Sequence, residues 1–588
     1  MDNPTVNRND NLSTGLVKRA ALYIGILAFA LVLLLFLGAG QASAEDVSGD
    51  ITVDTTWASD SIINVTGDVN ISEGVTLTIE KNVTVMFQGY YAFNVYGNLD
   101  IACAEDNWTV FDRNSSAITT WNGVYFYEGS GGSIAYLSME NVSYPLNYDN
   151  TTDGPSMSNV MVSHGDTAIR YAFYSDVRQD IALTISGVEI WDFWAGLYVY
   201  NSNGSLDVTL DGVVVNWTSD IGYFWAHAWV EDGRIDMTIT GCEFTNSFNG
   251  GMNINGDILG DVLVSDTWFS HIGNMVIGSE PLIGPPIVYD FIMEMYGGVS
   301  ATSFTLDGVI VDNASAGFSY IVGSGDVILT VTDCSFTNVF SDAIVVDGDT
   351  VSSIQMTNSE FINVWGTVVT SHADEGDTVI MLDGAVMENV YYGIWAVVEF
   401  GNIDLTVVNS SLGGYYTLID LAVNSLTLDT GFVTLDISAS SFHEAELAID
   451  VWCIELSPMV MTDTEFVNIS GMGMRLEVRE NDVSLGYDNV TMVNVGIGLW
   501  LYANDGDLEL EFTESHINTN FAGAIVEVSA PTDADLNKVN ITVLNSVFEG
   551  GDFGIWAVSV NGGRVAIHNS QFLGQNEVGF TYDSLYGQ

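Results

Sequence analysis

Apolar and polar residues alternate along most of the chain after residue 50, with a period of two rather than 3.6. β-Branched and aromatic residues fill many of the apolar positions, and short segments rich in Gly, Asn and Asp separate the alternating runs. This combination is typical of short β-strands joined by turns. We therefore predict an all-β protein, preceded by one apolar helix at the N-terminus.

A repeated pattern organises the predicted strands. Segments such as TVTDCSFTNVFSDAIVV, QMTNSEFINVWGTVV and TVLNSVFEGGDFGIWAV share a large apolar anchor, often an Asn two places on, and a Gly or Ala before an apolar-x-apolar strand. Ten of the fourteen spacings between successive anchors are 24 to 26 residues. The anchors are Ile190, Val215, Phe244, Phe269, Val311, Phe336, Phe361, Met387, Leu412, Phe442, Phe466, Met492, Ile517, Phe548 and Phe572. Leucine-rich repeats have a similar period, but their LxxLxLxxN pattern and helical half are missing.

Each repeat therefore predicts about three short strands, which form one coil of a right-handed parallel β-helix. Coils stack about 4.8 Å apart, so fifteen anchors predict a rod roughly 70 Å long within a solenoid of about 15–20 coils. The anchors are expected to stack inside. Asparagines two places on are expected to form turns and bond the neighbouring coil; these are Asn246, Asn313, Asn338, Asn363, Asn389, Asn468 and Asn494. Residues 45–110 are expected to form opening coils, and residues 111–588 the β-helix proper.

These repeats resemble the right-handed parallel β-helix superfamily, which includes pectate lyases, polygalacturonases, carbohydrate-binding and sugar-hydrolase domains, and NosD-type proteins. The segment GDVNISEGVTLTIEKNVTVMFQGYYAFNVYGNLDIA looks like the opening coils of archaeal and bacterial surface proteins of this type. The resemblance covers roughly residues 50–585. It implies a fold but no particular function, because this scaffold carries enzymes and inert rods alike.

The N-terminus predicts export. Lys18 and Arg19 precede an uncharged run from Ala20 to Gly40, and the small residues of Ala42-Ser43-Ala44 follow. This is the pattern of a signal peptide cleaved after Ala44. The run is also long enough to span a bilayer as an uncleaved anchor. Both interpretations place residues 45–588 at the cell surface or outside the cell, and both confine membrane contact to residues 1–44.

The charge balance is strongly acidic, with 76 acidic against 12 basic residues and a formal net charge of −64. Such a surface repels nucleic acid and disfavours polyanionic substrates such as pectate. Removing Arg8, Lys18 and Arg19 leaves nine basic residues after Ala44. Most carboxylates must therefore face water or cations. Acidic turns around Asp347, Asp374 and Asp507 predict at most weak Ca²⁺ binding, and tight Asp-Gly turns are the alternative explanation.

The cysteines show no metal or disulfide spacing. Cys242 and Cys334 occupy the same repeat position, and we expect small buried side chains there rather than a bridge. Export would make the fourteen N-x-S/T sequons of this region candidates for glycosylation. The candidates singled out are Asn64, Asn70, Asn82, Asn107, Asn141, Asn216, Asn313 and Asn489.

No catalytic motif stands out. The Asn-Thr-Asp, Asp-Asp, Gly-His-Gly and Arg-Ile-Lys motifs of the hydrolytic branch of the superfamily are missing, and the closest fragment is SHGD at Ser163–Asp166. A hydrolase of neutral sugars needs only two carboxylates at a suitable separation. Sequence cannot identify such a pair among so many acids. The seven histidines show no clustering and are expected to be structural.

Aromatic residues in the strand after the Gly or Ala turn are the best candidates for binding. Alternation sends the first and third residues of this strand inward and the second outward, and the second position holds Tyr198, Phe224, Trp395, Trp500 and Trp556. Exposed indoles can stack on sugar rings or contact a protein. The alternative is that a loop covers them or that they belong to the core.

The sequence therefore predicts an exported, acidic β-helix with a structural, adhesive or contact role at the cell surface. Its expected partners are a glycan or a surface protein, with lateral self-assembly as a further possibility, and no cofactor is expected. The alternative is a carbohydrate-active enzyme on the same fold. A groove on one sheet that gathers two or more carboxylates with an Arg, His or aromatic floor would favour the enzyme, and a scattered acidic surface without such a groove would favour the contact role.

Overall fold

The computed structural model describes most of the chain after residue 43. The described ranges are 44–151, 155–174, 178–216, 224–247, 252–272, 291–297, 302–424, 431–479, 482–504, 506–528, 538–559 and 563–584. The predicted N-terminal apolar helix lies outside these ranges. No helix long and apolar enough to cross a membrane occurs within them.

The described residues form a parallel β-solenoid of about 18 turns, of the right-handed type, with a repeat of about 25 residues. At a strand spacing of about 4.8 Å, this corresponds to a rod of about 85 Å. The predicted all-β class, repeat length and number of coils are confirmed. Each coil contributes strands to three parallel sheets, which we call sheets I, II and III.

Sheet I is formed by the strand that follows the Gly or Ala turn. The strands that belong to it alone are β6 (Ala92–Val95), β9 (Trp121–Phe126), β11 (Val142–Asp149), β21 (Phe291–Gly297), β24 (Ala316–Val322), β27 (Ile344–Gly348), β30 (Thr367–Glu375), β33 (Tyr392–Phe400), β36 (Thr417–Val423), β39 (Leu447–Cys453), β43 (Met472–Val478), β50 (Phe553–Ser559) and β53 (Val578–Ser584).

Sheet II is formed by the alternating strand that ends a few residues before each anchor. Its own strands are β2 (Thr55–Trp57), β4 (Thr76–Ile79), β7 (Asn98–Ala102), β13 (Ile181–Ser186), β15 (Leu206–Asp211), β22 (Thr302–Asp307), β25 (Asp326–Thr332), β28 (Thr350–Thr357), β31 (Thr378–Asp383), β34 (Ile403–Val408), β37 (Phe432–Ser438), β40 (Glu455–Leu456), β41 (Met459–Thr462), β44 (Val483–Asp488), β46 (Leu508–Thr513), β48 (Val539–Leu544) and β51 (Gly563–His568).

Sheet III contains the anchor residues. Its own strands are β5 (Thr84–Phe87), β8 (Thr109–Arg113), β16 (Val214–Asn216), β18 (Glu243–Ser247), β20 (Trp268–Ile272), β23 (Ile310–Ala314), β26 (Ser335–Val339), β29 (Glu360–Val364), β32 (Val386–Val390), β35 (Ser411–Gly414), β38 (Ser441–His443), β42 (Glu465–Val467), β49 (Val547–Glu549) and β52 (Gln571–Leu573).

Nine longer strands pass from one sheet to another without a break in the strand. They are β1 (Glu45–Ile51), β3 (Ile62–Ile71), β10 (Gly131–Glu140), β12 (Ser156–Phe173), β14 (Val188–Asn201), β17 (Phe224–Thr240), β19 (Met252–Ser265), β45 (Thr491–Ala503) and β47 (His516–Val528).

The anchor column is confirmed in full. Each predicted anchor is the Cα partner of the next, from Ile190 to Phe572. The rings of Phe336 and Phe361 stack with centroids 4.9 Å apart and planes 16° apart. Consecutive coils therefore place equivalent apolar side chains one above another, and this stacking fills the core.

The turn asparagines also take the predicted role. Asn338, Asn363 and Asn389 adopt left-handed backbone conformations with φ between 55° and 58°. The Asn363 Nδ2 donates to Asn338 Oδ1 at 2.9 Å, and the Asn389 Nδ2 donates to Asn363 Oδ1 at 3.3 Å. Asn suits this position because it tolerates the left-handed region and bonds the coil beside it.

The cysteines are free, as expected. Cys334 is buried, and its thiol donates to the carbonyl of Thr332 at 3.2 Å. In the next coil, the hydroxyl of Ser359 donates to the carbonyl of Thr357 at 3.0 Å. Cys334 thus occupies a column of small side chains that each cap their own backbone two residues back.

Candidate functional site on the outward face of sheet I

One outward column of sheet I combines aromatic and charged side chains. On five consecutive coils its members are Trp395, Asp420, Asp450, Arg475 and Trp500, each the Cα partner of the next. Four steps between coils correspond to about 19 Å along the rod. We call these five residues, together with Trp452, the Trp–Asp–Arg face.

Strand alternation presents this column to solvent. In β33, Ile394 and Ala396 are buried, whereas the Trp395 between them is 45% exposed. A side chain at Gly393 would place its Cβ 2.1 Å from the carbonyl oxygen of Leu418. Glycine is therefore required where the chain enters the strand. The segment GIWAV occurs at Gly393–Val397 and again at Gly554–Val558, and it owes its Gly, Ile and Ala to the coil. Only its tryptophan is not required by the fold.

An ion pair lies at the centre of the face. The Nε of Arg475 lies 2.9 Å from Asp450 Oδ1, and the side chains are 28% and 9% exposed. The guanidinium carbon of Arg475 lies 5.2 Å from the ring centroid of Trp452. Trp452 follows Asp450 by two residues, so both project from the same side of β39. The guanidinium is thereby held between a carboxylate and an indole.

Two neighbouring carboxyls share this environment. Burial raises the pKa of Asp420 to about 6; the charge of Asp450 adds to the effect and Arg475 opposes it. Burial also raises the pKa of Asp450, against the opposing effects of Arg475 and Trp452. Asp420 therefore keeps its proton at higher pH than an ordinary carboxyl, beside a carboxylate that has its own cation.

The structure places four of the five predicted aromatic residues in this column. Trp395 is exposed, whereas Tyr198, Trp500 and Trp556 are half-buried. Trp395 and Trp500 both border the charged residues, and Trp556 lies two coils beyond Trp500, with its ring centroid 5.1 Å from that of Phe553. Tyr198 lies in the N-terminal part of the same column.

The placement of Phe224 is corrected. It pairs with Ala195, and the partner of Tyr198 is His227, three residues further on. In this coil the residue in the column follows its anchor Val215 by twelve positions, whereas in the neighbouring coils it follows its anchor by eight or nine, so the same count from the anchor stops short. The side chain of Phe224 lies outside the described residues.

Asp420, Asp450, Arg475 and Trp452 were not among the predicted site residues. Asp420 follows its anchor Leu412 by eight residues, as Trp395 follows Met387, so the repeat itself locates it. Trp452 belongs to a second outward column, two residues further along the strand. A search of both outward positions of each coil would have found it.

The candidate glycosylation sites lie at coil corners and on outward positions. Five of these asparagines donate Nδ2 hydrogen bonds within the stack, namely Asn64, Asn70, Asn82, Asn141 and Asn489. Asn107 accepts a bond from Asn82 and Asn216 accepts one from Asn246, while Asn313 lies half-buried with φ of 56°. An attached glycan therefore competes with a stacking hydrogen bond at several of these positions.

Acidic turns use their carboxylates to join coils. Asp377 accepts both the backbone N–H and the Nδ2 of Asn402, and Asp507 accepts the backbone N–H of Lys538. Within the described ranges, no three His, Cys, Asp or Glu side chains converge so that they could hold a metal ion. These two carboxylates therefore bind the neighbouring coil.

No known protein family matches this chain, and no curated protein matches it in sequence.

Proposed function

We propose that the Trp–Asp–Arg face binds a glycan chain lengthwise along the rod. The observation that supports this most directly is the order of the column, in which Trp395 and Trp500 flank two carboxyls and a guanidinium on consecutive coils. Indoles offer flat apolar surfaces to sugar rings, and the polar centre offers donors and acceptors to their hydroxyls. Exposed Trp452, at 39%, widens the same surface.

The setting of this role is the cell surface. The basic and apolar N-terminal pattern supports export, with residues 45–588 either released or held by the N-terminal segment. A net charge of −64 favours a water-exposed rod that stays apart from nucleic acid and anionic lipid. We assign the protein a contact or adhesive function within the β-helix superfamily, with a glycan as its partner.

Hydrolysis of a neutral glycan is the second candidate. It is favoured by the pairing of Asp420, whose pKa is about 6, with Asp450, whose charge is held by Arg475. Glycoside hydrolysis requires one protonated and one ionised carboxyl on either side of the scissile bond. In this reaction Asp420 protonates the leaving oxygen as the glycosidic bond breaks. Asp450 either takes a proton from the water that bonds to the anomeric carbon, or bonds to that carbon itself before water releases the sugar.

A panel of neutral and acidic oligosaccharides tests both candidates, with binding and cleavage scored on the same samples. The triple variant W395A/W452A/W500A is expected to lose binding by tenfold or more. Phe432→Ala serves as control because Phe432 is an exposed aromatic residue on sheet II. Equal binding by the triple variant and the wild type would contradict the proposal. Cleavage by the wild type that is abolished in Asp420→Asn would establish the hydrolase. Binding without cleavage would support the contact role and contradict the hydrolase.

A further inference from the structure

A row of aromatic side chains lies at the corner where sheet III leads into sheet I. Its members are Phe340, Trp365, Tyr391 and Tyr415, each the first residue after its sheet III strand, with Tyr416 beside the last of them. The backbone N–H of each later member donates to the carbonyl of the residue that precedes the member one coil before. The row therefore follows four consecutive coils, about 14 Å along the rod. We call these five residues the corner ridge.

The coil does not require aromatic side chains at this corner. Coils before and after the ridge have Ser315 and Ser470 at the equivalent position, where their backbone N–H groups make the equivalent bond. Phe340, Trp365 and Tyr415 are nonetheless between 50% and 57% exposed. Large aromatic side chains that are exposed on neighbouring coils therefore indicate an interaction surface rather than a need of the fold.

Two of the exposed rings are nearly parallel. The rings of Trp365 and Tyr415, two coils apart, have centroids 6.4 Å apart and planes 15° apart. Between these coils, the ring of Tyr391 packs against that of Tyr416, with centroids 4.3 Å apart. A cation is attracted to the face of an aromatic ring when it lies within about 6 Å of the centroid. One cation can therefore lie within reach of both Trp365 and Tyr415.

The surroundings of the corner ridge are acidic. No lysine or arginine occurs in residues 235–474. Glu388 is exposed on the same coil as Tyr391, and Glu446 is exposed one coil beyond Tyr415, whose carbonyl accepts its backbone N–H. Carboxylates one coil away, at about 5 Å, lie within the screening length of about 8 Å at physiological salt. Their charge therefore acts on whatever binds the ridge.

We propose that the corner ridge binds a segment of a partner protein that carries arginine or lysine, with one cationic side chain over the rings of Trp365 and Tyr415. The ring faces attract the cation, and Glu388 and Glu446 favour its approach. Arginine fits best, because its planar guanidinium also stacks on flat rings. A second copy of this chain and an anionic lipid surface are disfavoured, since both add negative charge to an acidic surface.

The Trp–Asp–Arg face contains an example of this combination within the chain. There Arg475 lies 2.9 Å from a carboxylate oxygen of Asp450 and 5.2 Å from the ring centroid of Trp452. The corner ridge offers aromatic rings and carboxylates in a stretch of the sequence without arginine or lysine. The partner therefore supplies the cation that Arg475 supplies on the face.

The test is fluorescence anisotropy of a labelled Gly-Arg-Gly-Arg-Gly-Arg peptide with the full chain at 0.15 M salt. Versions with lysine, or with citrulline, which has the shape of arginine without its charge, are compared. The wild type is expected to bind the arginine peptide at least tenfold more tightly than the citrulline peptide. The variant W365S/Y415S, which takes the serine of the neighbouring coils, should weaken binding of the arginine peptide by about fivefold to thirtyfold at unchanged net charge.

The matched control is Phe432→Ser, which removes an exposed aromatic residue on sheet II and should bind the peptide as the wild type does. This control separates the ridge from general attraction between a cationic peptide and an acidic chain. If W365S/Y415S does not fold, W365L/Y415L replaces it with the same expected loss, because leucine keeps apolar bulk but has no aromatic face.

Three outcomes would overturn the proposal: equal affinity for the arginine and citrulline peptides, unchanged affinity in the ridge variant, or an equal loss in Phe432→Ser. A ridge variant that loses binding of neutral oligosaccharides and keeps binding of the peptide would assign the ridge to a glycan, and so would also overturn it. The variant W395A/W452A/W500A should keep peptide binding, so this proposal and the glycan role of the Trp–Asp–Arg face can each fail without the other.

Discussion

Replacing Asp420 by Asn should make the protein more stable at pH 7.5. The wild-type carboxyl is buried beside Asp450 and has a pKa of about 6 in the folded state, against about 3.9 when unfolded. Between these values the folded state holds a proton that the unfolded state has released, so stability falls as the pH rises from about 4 to about 6. The loss is complete above about pH 7, where the carboxyl is ionised in both states.

The size of this effect follows from the shift. Two pKa units at about 1.36 kcal/mol each give at most about 3 kcal/mol. Asp420 keeps partial contact with water, and solvent screening reduces the figure to about 1–2 kcal/mol. Asn keeps the shape and polarity but cannot ionise, so the variant should gain this amount at pH 7.5 and nothing at pH 4.

The assay is urea unfolding at pH 4, 5, 6 and 7.5, read together with hydrogen exchange of the β36 and β39 amides, because solenoids can open locally. Asp436→Asn is the control, since Asp436 is exposed on sheet II. The reasoning would be refuted if Asp420→Asn were less stable than wild type at pH 7.5. It would also fail if the two proteins had the same dependence on pH.

Three further predictions concern the coil itself. Phe361→Ala should cost about 3–5 kcal/mol, because it opens a cavity in a column where Phe361 stacks on Phe336, and loss of protection in the adjacent coils should report it. Asn363→Ala should lower the unfolding free energy by about 1 kcal/mol more than Asn363→Gly, since both remove the Asn338 bond but only Ala is strained at φ of 57°. Equal losses would show that backbone strain is irrelevant there. Cys334→Ser should change stability by less than about 1 kcal/mol, because Ser359 bonds the equivalent carbonyl in the next coil. A large loss of stability on thermal unfolding would contradict this.

Much of the fold was predictable because one short rule recurs. The anchors from Ile190 to Phe572 obey a two-residue alternation and a nearly fixed spacing, and stacking adds only nearest-neighbour contacts. The same rule located Trp395 and Trp500. It misplaced Phe224, because three extra residues in that coil shift the register and no local signal marks where they are accommodated.

The charged centre of the site was harder to predict. Asp420 and Asp450 are two acids among 76, and nothing local distinguishes a half-buried aspartate from one that faces water. Their importance comes from neighbours one coil away, separated in sequence by 25 to 30 residues. Only the register brings Arg475 onto Asp450 and Trp452. Such a cluster requires coordinates, or alignment of the coils at both outward positions.

Affinity as a function of oligosaccharide length tests the central claim most directly. A series of neutral oligosaccharides of increasing length is titrated into the wild type and into W395A/W452A/W500A. If the chain lies along the rod, affinity should rise with length until the ligand spans the distance from Trp395 to Trp500, about 19 Å, and then level off. The triple variant should show no such rise. An affinity independent of length, or an equal rise in the variant, would contradict the account.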